Sequence, residues 1–475
     1  MIIKIINYKF ENNKIYIRKY YILKNSCIFQ KHLFIIFILF NIIILKKYII
    51  FNNIEINKNY KYFHKKYNLH FPNVLINKIR VGIYTYSLKN GGTQRISSLL
   101  INYLYKVNIF KLYIFSQKQK ENNEYIIPND IKRVVIEFPR YQNLLKKNKI
   151  HILIFQFPNE YGINLLNSIK EIKILFYQHY SFFYWLYFNY TKFNDIYKSY
   201  QQSKYILSVI PFENDYIFPK WGINSILMNN FVTFEYKKTI PSNLNNQTII
   251  MIGRSNDKFK RLELGIYSME YIKNELPEIL MIIISNITNN YYIKNLVNDL
   301  NLEKKIKFIG YSSTPEIYYQ NCSLHIFPSI SESFGLVLSE AKIYGIPSIL
   351  IGLDYISISK GGTFIIYDDK PEYISIKAME IFKNKKYKKR FGKEARLSMV
   401  KYNNENLLNK WIELLMAIFN GDEYYNSLIK RDKKMEKKQA LNILINQVNL
   451  LKKRDIKFNN ITINELENCI KNQND

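Results

Sequence analysis

The clearest chemical signal in this 475-residue chain is a pair of glutamates around a helix start. In Pro328-Ser329-Ile330-Ser331-Glu332-Ser333-Phe334-Gly335-Leu336-Val337-Leu338-Ser339-Glu340-Ala341, seven residues separate Glu332 from Glu340. Gly335 stands where a loop should turn into a helix. The amides of Gly335, Leu336 and Val337 can then face an anion at the helix N-terminus. Glu332 falls in the loop and Glu340 inside the helix. If both were helical, their Cα atoms would lie ~12 Å apart. Carboxyl pairs that hydrolyse glycosides lie ~5–9.5 Å apart. Acceptance of hydrogen bonds from sugar hydroxyls is therefore the better chemistry. Either glutamate alone reads equally well as a surface acid, but that reading does not account for the whole string.

Three further clusters carry chemistry. Gly253-Arg254, followed by Lys260, places two cations on one loop between a strand and a helix. Arginine grips a phosphate as a fork and lysine as a point charge, which suits a diphosphate. The chain holds 11 arginines against 58 lysines, so Arg254 ranks above Lys258 and Arg261. Gly91-Gly92-Thr93-Gln94-Arg95 can bring backbone close to an anionic ligand, with Thr93 expected to cap the helix. The plain alternative there is a simple turn. The dinucleotide fingerprint Gly-x-Gly-x-x-Gly is absent, which argues against a NAD-dependent enzyme. Gln178-His179, after a strand, is expected to point into the same cleft. There His179 serves as a ligand-binding or catalytic group, or else as a structural histidine.

These residues must be held by a framework, and its rhythm is visible. Continuous apolar runs read as strands at Ile79–Tyr84, Leu112–Phe115, Val134–Phe138, Ile150–Phe155, Ile172–Phe176 and Ile206–Val209. The rhythm restarts at Thr248–Ile252, Leu280–Ile284, Ile306–Ile309, Leu324–Phe327 and Ser348–Ile351, with helices such as Leu262–Asn274 and Pro315–Asn321 between. Strands of this kind, separated by amphipathic stretches, form parallel sheets covered on both faces. The fold class is α/β, with two doubly wound domains at residues 78–235 and 236–420. Thr233–Asn246 is the expected linker. In the lysine-rich tail, 421–475, Leu441, Leu444, Val448 and Leu451 recur at helical spacing and should pack on their own protein. Residues 1–77 contain no Gly, Ala, Asp or Thr and no catalytic pattern. Their apolar stretch 33–51 reads as an interfacial or membrane-associated helix.

Composition narrows the function. At 48% hydrophobic and 23% charged, whole-chain disorder is excluded. Three cysteines cannot form a disulfide framework and lack zinc-site spacing, which fits a reducing cytoplasmic setting. The net charge of +31 favours contact with an anionic surface such as lipid headgroups or phosphorylated ligands. The charge is diffuse and no nucleic-acid-binding motif is present, so no nucleic-acid partner is expected.

From about Arg80 to Phe419 the chain resembles the GT-B glycosyltransferases of glycosyltransferase family 4. The resemblance rests on Gly91-Gly92-Thr93-Gln94-Arg95, on Gly253-Arg254 with Lys260, on Phe308-Ile309-Gly310 with Glu316 and Tyr318, and on the spacing from Glu332 to Glu340. It implies two Rossmann-like domains facing across a cleft, and retaining transfer from a nucleotide-diphosphate sugar. It also implies roles. Arg254 and Lys260 would neutralise the diphosphate, Glu332 would contact the donor sugar, and Glu340 the ribose. Amides of Phe334, Gly335 and Leu336 would lie near sugar and phosphate, Gly92 would admit the donor, and His179 would lie near the transferred sugar. No metal and no separate cofactor are expected, because cations and amides can carry the leaving charge. The expected acceptor is a glycan or lipid-linked precursor at the cytoplasmic face of a membrane. Ser285, Arg261 and Asn229-Asn230 depart from the family pattern. At Asn229-Asn230 a left-handed turn is expected, which Asn tolerates. The rival reading is a non-catalytic remnant of the fold or a basic module that binds membranes or polyanions.

Overall fold

A computed structural model describes residues 2–11, 14–23 and 78–472, except 90, 137–139, 157–159, 168, 188–192, 289, 313, 430–434 and 457–459. The apolar stretch 33–51 lies outside the described residues. The first compact unit, Met1–Val74, contains β1 (Ile2–Glu11) and β2 (Lys14–Leu23), paired antiparallel from Ile2↔Leu23 to Glu11↔Lys14.

The second unit, Leu75–Asp475, contains two all-parallel sheets. The first sheet consists of β3 (Ile79–Thr85), β4 (Phe110–Ser116), β5 (Lys132–Val135), β6 (Ile152–Phe155), β7 (Lys173–Gln178), β8 (Tyr205–Ser208) and β9 (Ile226–Leu227). Its spatial order is β5-β4-β3-β6-β7-β8-β9. The second sheet comprises β10 (Thr248–Ile252), β11 (Leu280–Ile284), β12 (Ile306–Ile309), β13 (Leu324–Phe327), β14 (Ser348–Ile351) and β15 (Thr363–Ile366). Its order is β12-β11-β10-β13-β14-β15. Each sheet reverses its winding once, between β3 and β6 and between β10 and β13. Ligand crevices of doubly wound sheets open at such switch points, beyond the carboxyl ends of the strands.

Five helices matter for the site: α1 (Gly92–Val107), α2 (Leu262–Glu275), α3 (Leu336–Ile343), α4 (Asn404–Asn420) and α5 (Lys437–Lys453). Strands β10 to β14 coincide with the apolar runs because both faces are covered; Ile249, Met251, Met281, Ile283, Ile326 and Ile349 are essentially inaccessible. In the first sheet the edges move. β5 begins two residues earlier than its apolar run, since an edge strand needs less burial and accepts Lys132 and Arg133. The two-residue β9 has too little pattern to be read.

The linker is fastened rather than free. Arg396 donates to the carbonyls of Tyr236 (2.9 Å) and Thr239 (2.7 Å), and Ser242 Oγ donates to Cys322 O at 2.6 Å. Helix α4 returns to the first sheet: Asn404 Oδ1 accepts from Val232 N at 2.9 Å, and Lys173 Nζ donates to Ile418 O at 2.6 Å. The tail helix α5 does pack on its own protein, but on Ala440, Ile443, Leu444, Gln447, Leu450 and Leu451, with Leu441 and Val448 only half-buried. No helix of the described residues is long and apolar enough to cross a membrane.

Candidate active site

One cleft of about 1320 Å³ gathers the predicted site residues apart from Gln178. Its walls include Gly91, Gly92, His179, Gly253, Arg254, Lys260, Glu332, Phe334, Gly335, Leu336, Val337 and Glu340. The walls touch across it: Ser181 Oγ and Ser331 Oγ are 2.8 Å apart, and the Tyr184 and Phe259 rings stack at 5.1 Å.

The second-sheet wall is charged. β10 ends at Ile252, and the loop that follows carries Gly253, Arg254 and Lys260 into α2. Arg254 Nη2 contacts Asp257 Oδ2 at 2.6 Å, and the Arg254 side chain is 66% exposed. Lys260 Nζ pairs with Glu332 Oε1, a contact of two largely covered side chains. Gly253 leaves room for this packing, since a Cβ there would meet Lys260 Cβ at 3.1 Å. Asp257, which the motif reading did not single out, was detectable as the acid three residues beyond Arg254 on the same loop.

α3 starts after Gly335, whose φ of 81° is left-handed, a conformation that favours glycine. No side chain caps this helix start, and its first-turn residues Leu336 and Val337 line the cleft. Glu332 lies in the loop and Glu340 in the helix, as expected. Glu340 is buried and accepts from Tyr319 OH at 2.9 Å. Phe334 is buried and packs edge-on against Tyr402.

The first-sheet wall is neutral apart from Lys89 and Arg95. His179 is 7% exposed, and burial pushes its pKa down to about 3, so the ring is neutral. Its Nε2 lies 3.2 Å from Gln156 Oε1, and its Nδ1 has no partner. Gln156 Nε2 and Asn230 Nδ2 are also buried, cleft-lining and unpartnered. Gln156 and Asn230 escaped the motif search because neither belongs to a recognisable string. Gln156 directly follows β6, and that strand-end position was the available signal. Across the cleft, buried Ser285 presents an unpartnered Oγ at the end of β11.

Several expectations are corrected. Gly91, not Thr93, occupies the N-cap of α1, because the helix already starts at Gly92. A Cβ on Gly92 would meet nothing within 4 Å, so that backbone borders open cleft. Gln178 does not line the cleft; its Oε1 accepts from Tyr200 OH at 3.0 Å inside the first half. Neither Asn229 nor Asn230 is among the residues with left-handed backbone, because Asn230 Oδ1 is instead anchored by Tyr177 OH at 2.6 Å. Arg261 turns away from the cleft and pairs with Asp369 at 2.6 Å. Its φ of 48° is left-handed, a conformation that glycine adopts without a Cβ penalty. Among the described residues, no three His, Cys, Asp or Glu side chains are placed to hold a metal ion.

Two switch-point crevices facing one another across a cleft define the GT-B fold, and solved structures of that class match it. Sucrose-phosphate synthase from Thermosynechococcus elongatus superposes with a TM-score of 0.60 at 14% identity, covering 72% of this chain and 100% of that one. HepE from Anabaena, solved with UDP and glucose, gives 0.56 at 13% identity over 71% and 100%. Residues 232–398 match the family "Glycosyl transferases group 1". Over 128 residues the chain is 28% identical to poly(ribitol-phosphate) alpha-N-acetylglucosaminyltransferase of Staphylococcus aureus, 26% of each chain. The chain spans about a quarter to about half the length of the curated relatives it matches.

Proposed function

We propose that the chain is a glycosyltransferase that moves a sugar from a nucleotide-diphosphate donor to an acceptor hydroxyl, with retention at the anomeric carbon. The observation that carries this reading is the convergence of Arg254, Lys260 and the α3 start on one cleft with Glu332 and Glu340. Breaking the glycosyl–phosphate bond leaves charge on the diphosphate. Two cations and helix-start amides are fixed donors aimed at such charge, and a donor of this kind is worth about 10²–10³-fold in rate.

Each cation rests on a carboxylate, Arg254 on Asp257 and Lys260 on Glu332. A diphosphate would draw both cations, and Glu332 would then be free to accept hydrogen bonds from sugar hydroxyls. His179 is neutral and offers a ring nitrogen to a hydroxyl rather than a charge to a phosphate. The leaving phosphate oxygen can take the acceptor's proton, so the reaction balances without a separate base. No metal enters this scheme.

The donor class draws support from HepE, crystallised with UDP and glucose. The acceptor reading draws on the net charge of +31, which suits a polymer or lipid that carries phosphates. The Staphylococcus aureus relative is named for such a polymer. The test is a release assay with UDP-, GDP- and ADP-sugars, with and without acceptor. Nucleotide release that rises with an anionic glycan acceptor supports the reading. Release that ignores every acceptor would make the chain a hydrolase, and Arg254→Ala with full transfer would refute the assignment of the cations.

A further inference from the structure

Helix α5 lies outside the family match, yet chains of contacts lead from it, through intermediate residues, to both members of the Lys260–Glu332 pair. At its C-terminal end Arg454 grips Asp369 with two bonds, Nε to Oδ2 at 2.6 Å and Nη2 to Oδ1 at 2.9 Å. Asp369 Oδ2 also forms an ion pair with Arg261 Nη1 at 2.6 Å. Burial works against this carboxylate, but Arg454 and Arg261 together hold it below its ordinary range. Arg261 is the chain neighbour of Lys260 and sits in a left-handed conformation, φ 48°, that a non-glycine residue keeps only when its surroundings fix it.

A second path starts about two turns earlier on the same helix. Gln447 Nε2 donates to Asp354 Oδ1 at 2.8 Å and to Gly352 O, and Asn446 Nδ2 donates to Asp354 Oδ2 at 3.1 Å. The next residue, Tyr355, is buried, and its hydroxyl accepts the Glu332 N–H at 3.2 Å. Gly352 fits this packing closely, since a Cβ there would collide with Leu450 Cδ2.

We propose that α5 is a positioning element for the diphosphate site, with Arg454 holding Lys260 through Asp369 and Arg261, and Gln447 holding Glu332 through Asp354 and Tyr355. The proposal rests on reading the cleft as that site. Neither Arg454 nor Gln447 lines the cleft, so each acts through others.

The test uses the full chain and the variants Arg454→Met, Arg454→Lys and Gln447→Leu. Amide hydrogen exchange is followed at Lys260, whose N–H donates to Asp257 O, and at Glu332. Arg454→Met is expected to speed exchange at 259–261, and Gln447→Leu at 331–333, each leaving the other segment unchanged. UDP affinity is expected to weaken about 2- to 30-fold in each. Arg454→Lys restores part of it, and the Arg454→Met effect vanishes in a Lys260→Ala background. Lower melting temperature with unchanged exchange and unchanged UDP affinity overturns the proposal and leaves α5 a stabilising helix only. Exchange needs no ligand. A chain that shows the exchange pattern but binds no UDP therefore refutes the diphosphate reading and leaves the brace standing.

Discussion

The two walls of the cleft arrange their polar groups in opposite ways. The second-sheet wall carries formal charges and pairs them internally: Arg254 with Asp257, Lys260 with Glu332. The first-sheet wall instead leaves Gln156 Nε2, Asn230 Nδ2 and His179 Nδ1 buried without partners. An unpaired buried charge would be far more destabilising than an unpaired neutral group, so the buried polar atoms left unpaired here are neutral ones, these three and Ser285 Oγ across the cleft. The difference sorts the ligand's parts. On the proposed reading, the diphosphate falls to Arg254 and Lys260, Glu332 beside them meets the sugar, and the His179 side adds neutral hydrogen-bonding groups.

The comparison can be broken by mutation, with the largest effect expected on the charged wall. Arg254→Ala or Lys260→Ala should lower turnover about 10²–10³-fold, measured as nucleotide release at saturating acceptor. Gln156→Leu should cost about tenfold, expressed in the KM for the sugar-bearing substrate and not in UDP affinity. If Gln156→Leu were the more damaging change, the division of labour between the walls would be reversed.

Salt should separate the walls as well. UDP affinity should fall as ionic strength rises from about 0.05 to 0.5 M, because Arg254 is mostly exposed and screened. Discrimination between sugars, read from the neutral wall, should stay constant over that range. A sugar preference that tracks salt would contradict the assignment.

The smallest effects concern stability behind each wall. Behind the first, Glu213 is fully buried, accepts the Phe182 N–H, and is pushed by that burial up to about 8. Its unfolded carboxyl titrates near 4.5, so the folded state binds the extra proton between 4.5 and 8. Stability contributed by the neutral carboxyl is complete below that window and is lost as pH rises through it. Glu213→Gln should flatten this decline and raise the melting temperature at pH 8, by about 1–2 kcal/mol of stability. Behind the second wall, burial lowers Lys342 to about 7 although its Nζ donates to the carbonyls of Ile358 and Lys360, both at 2.6 Å. There the unfolded chain binds more protons above pH 7, so stability rises with pH, the opposite sign. Melting curves of Lys342→Met from pH 6 to 9 should lose that rise; an unchanged slope would remove Lys342 as its source.

The two walls also differ in how far the sequence exposes them. The charged wall is readable because its residues sit in strings: a glycine before Arg254, and Gly335 between two glutamates. Scarce arginine and glycine mark those places in a lysine-rich chain. The neutral wall is assembled from Gln156, His179 and Asn230, single residues at the ends of separate segments, and only the parallel sheet brings them together. Gln178 illustrates the limit. It precedes His179 and shares its composition signal, but strand alternation turns its side chain inward to Tyr200. The strands β10 to β14 are legible to the residue because each is mostly apolar, whereas the half-exposed β15 is not among the apolar runs that read as strands. The edge strands β5 and β9 are not, since partial exposure erases the apolar run. The tail showed its helical period, but nothing in Leu441, Leu444, Val448 and Leu451 points to Arg454 or Gln447, which make the specific contacts.

The central claim is that Arg254 and Lys260 form a diphosphate site. Calorimetric titration of UDP into the full chain and into the Arg254→Ala/Lys260→Ala double variant measures it directly. One UDP per chain is expected for the unaltered protein, with loss of that binding in the double variant, while UDP that binds both proteins equally, or neither at about millimolar concentration, would contradict the diphosphate site.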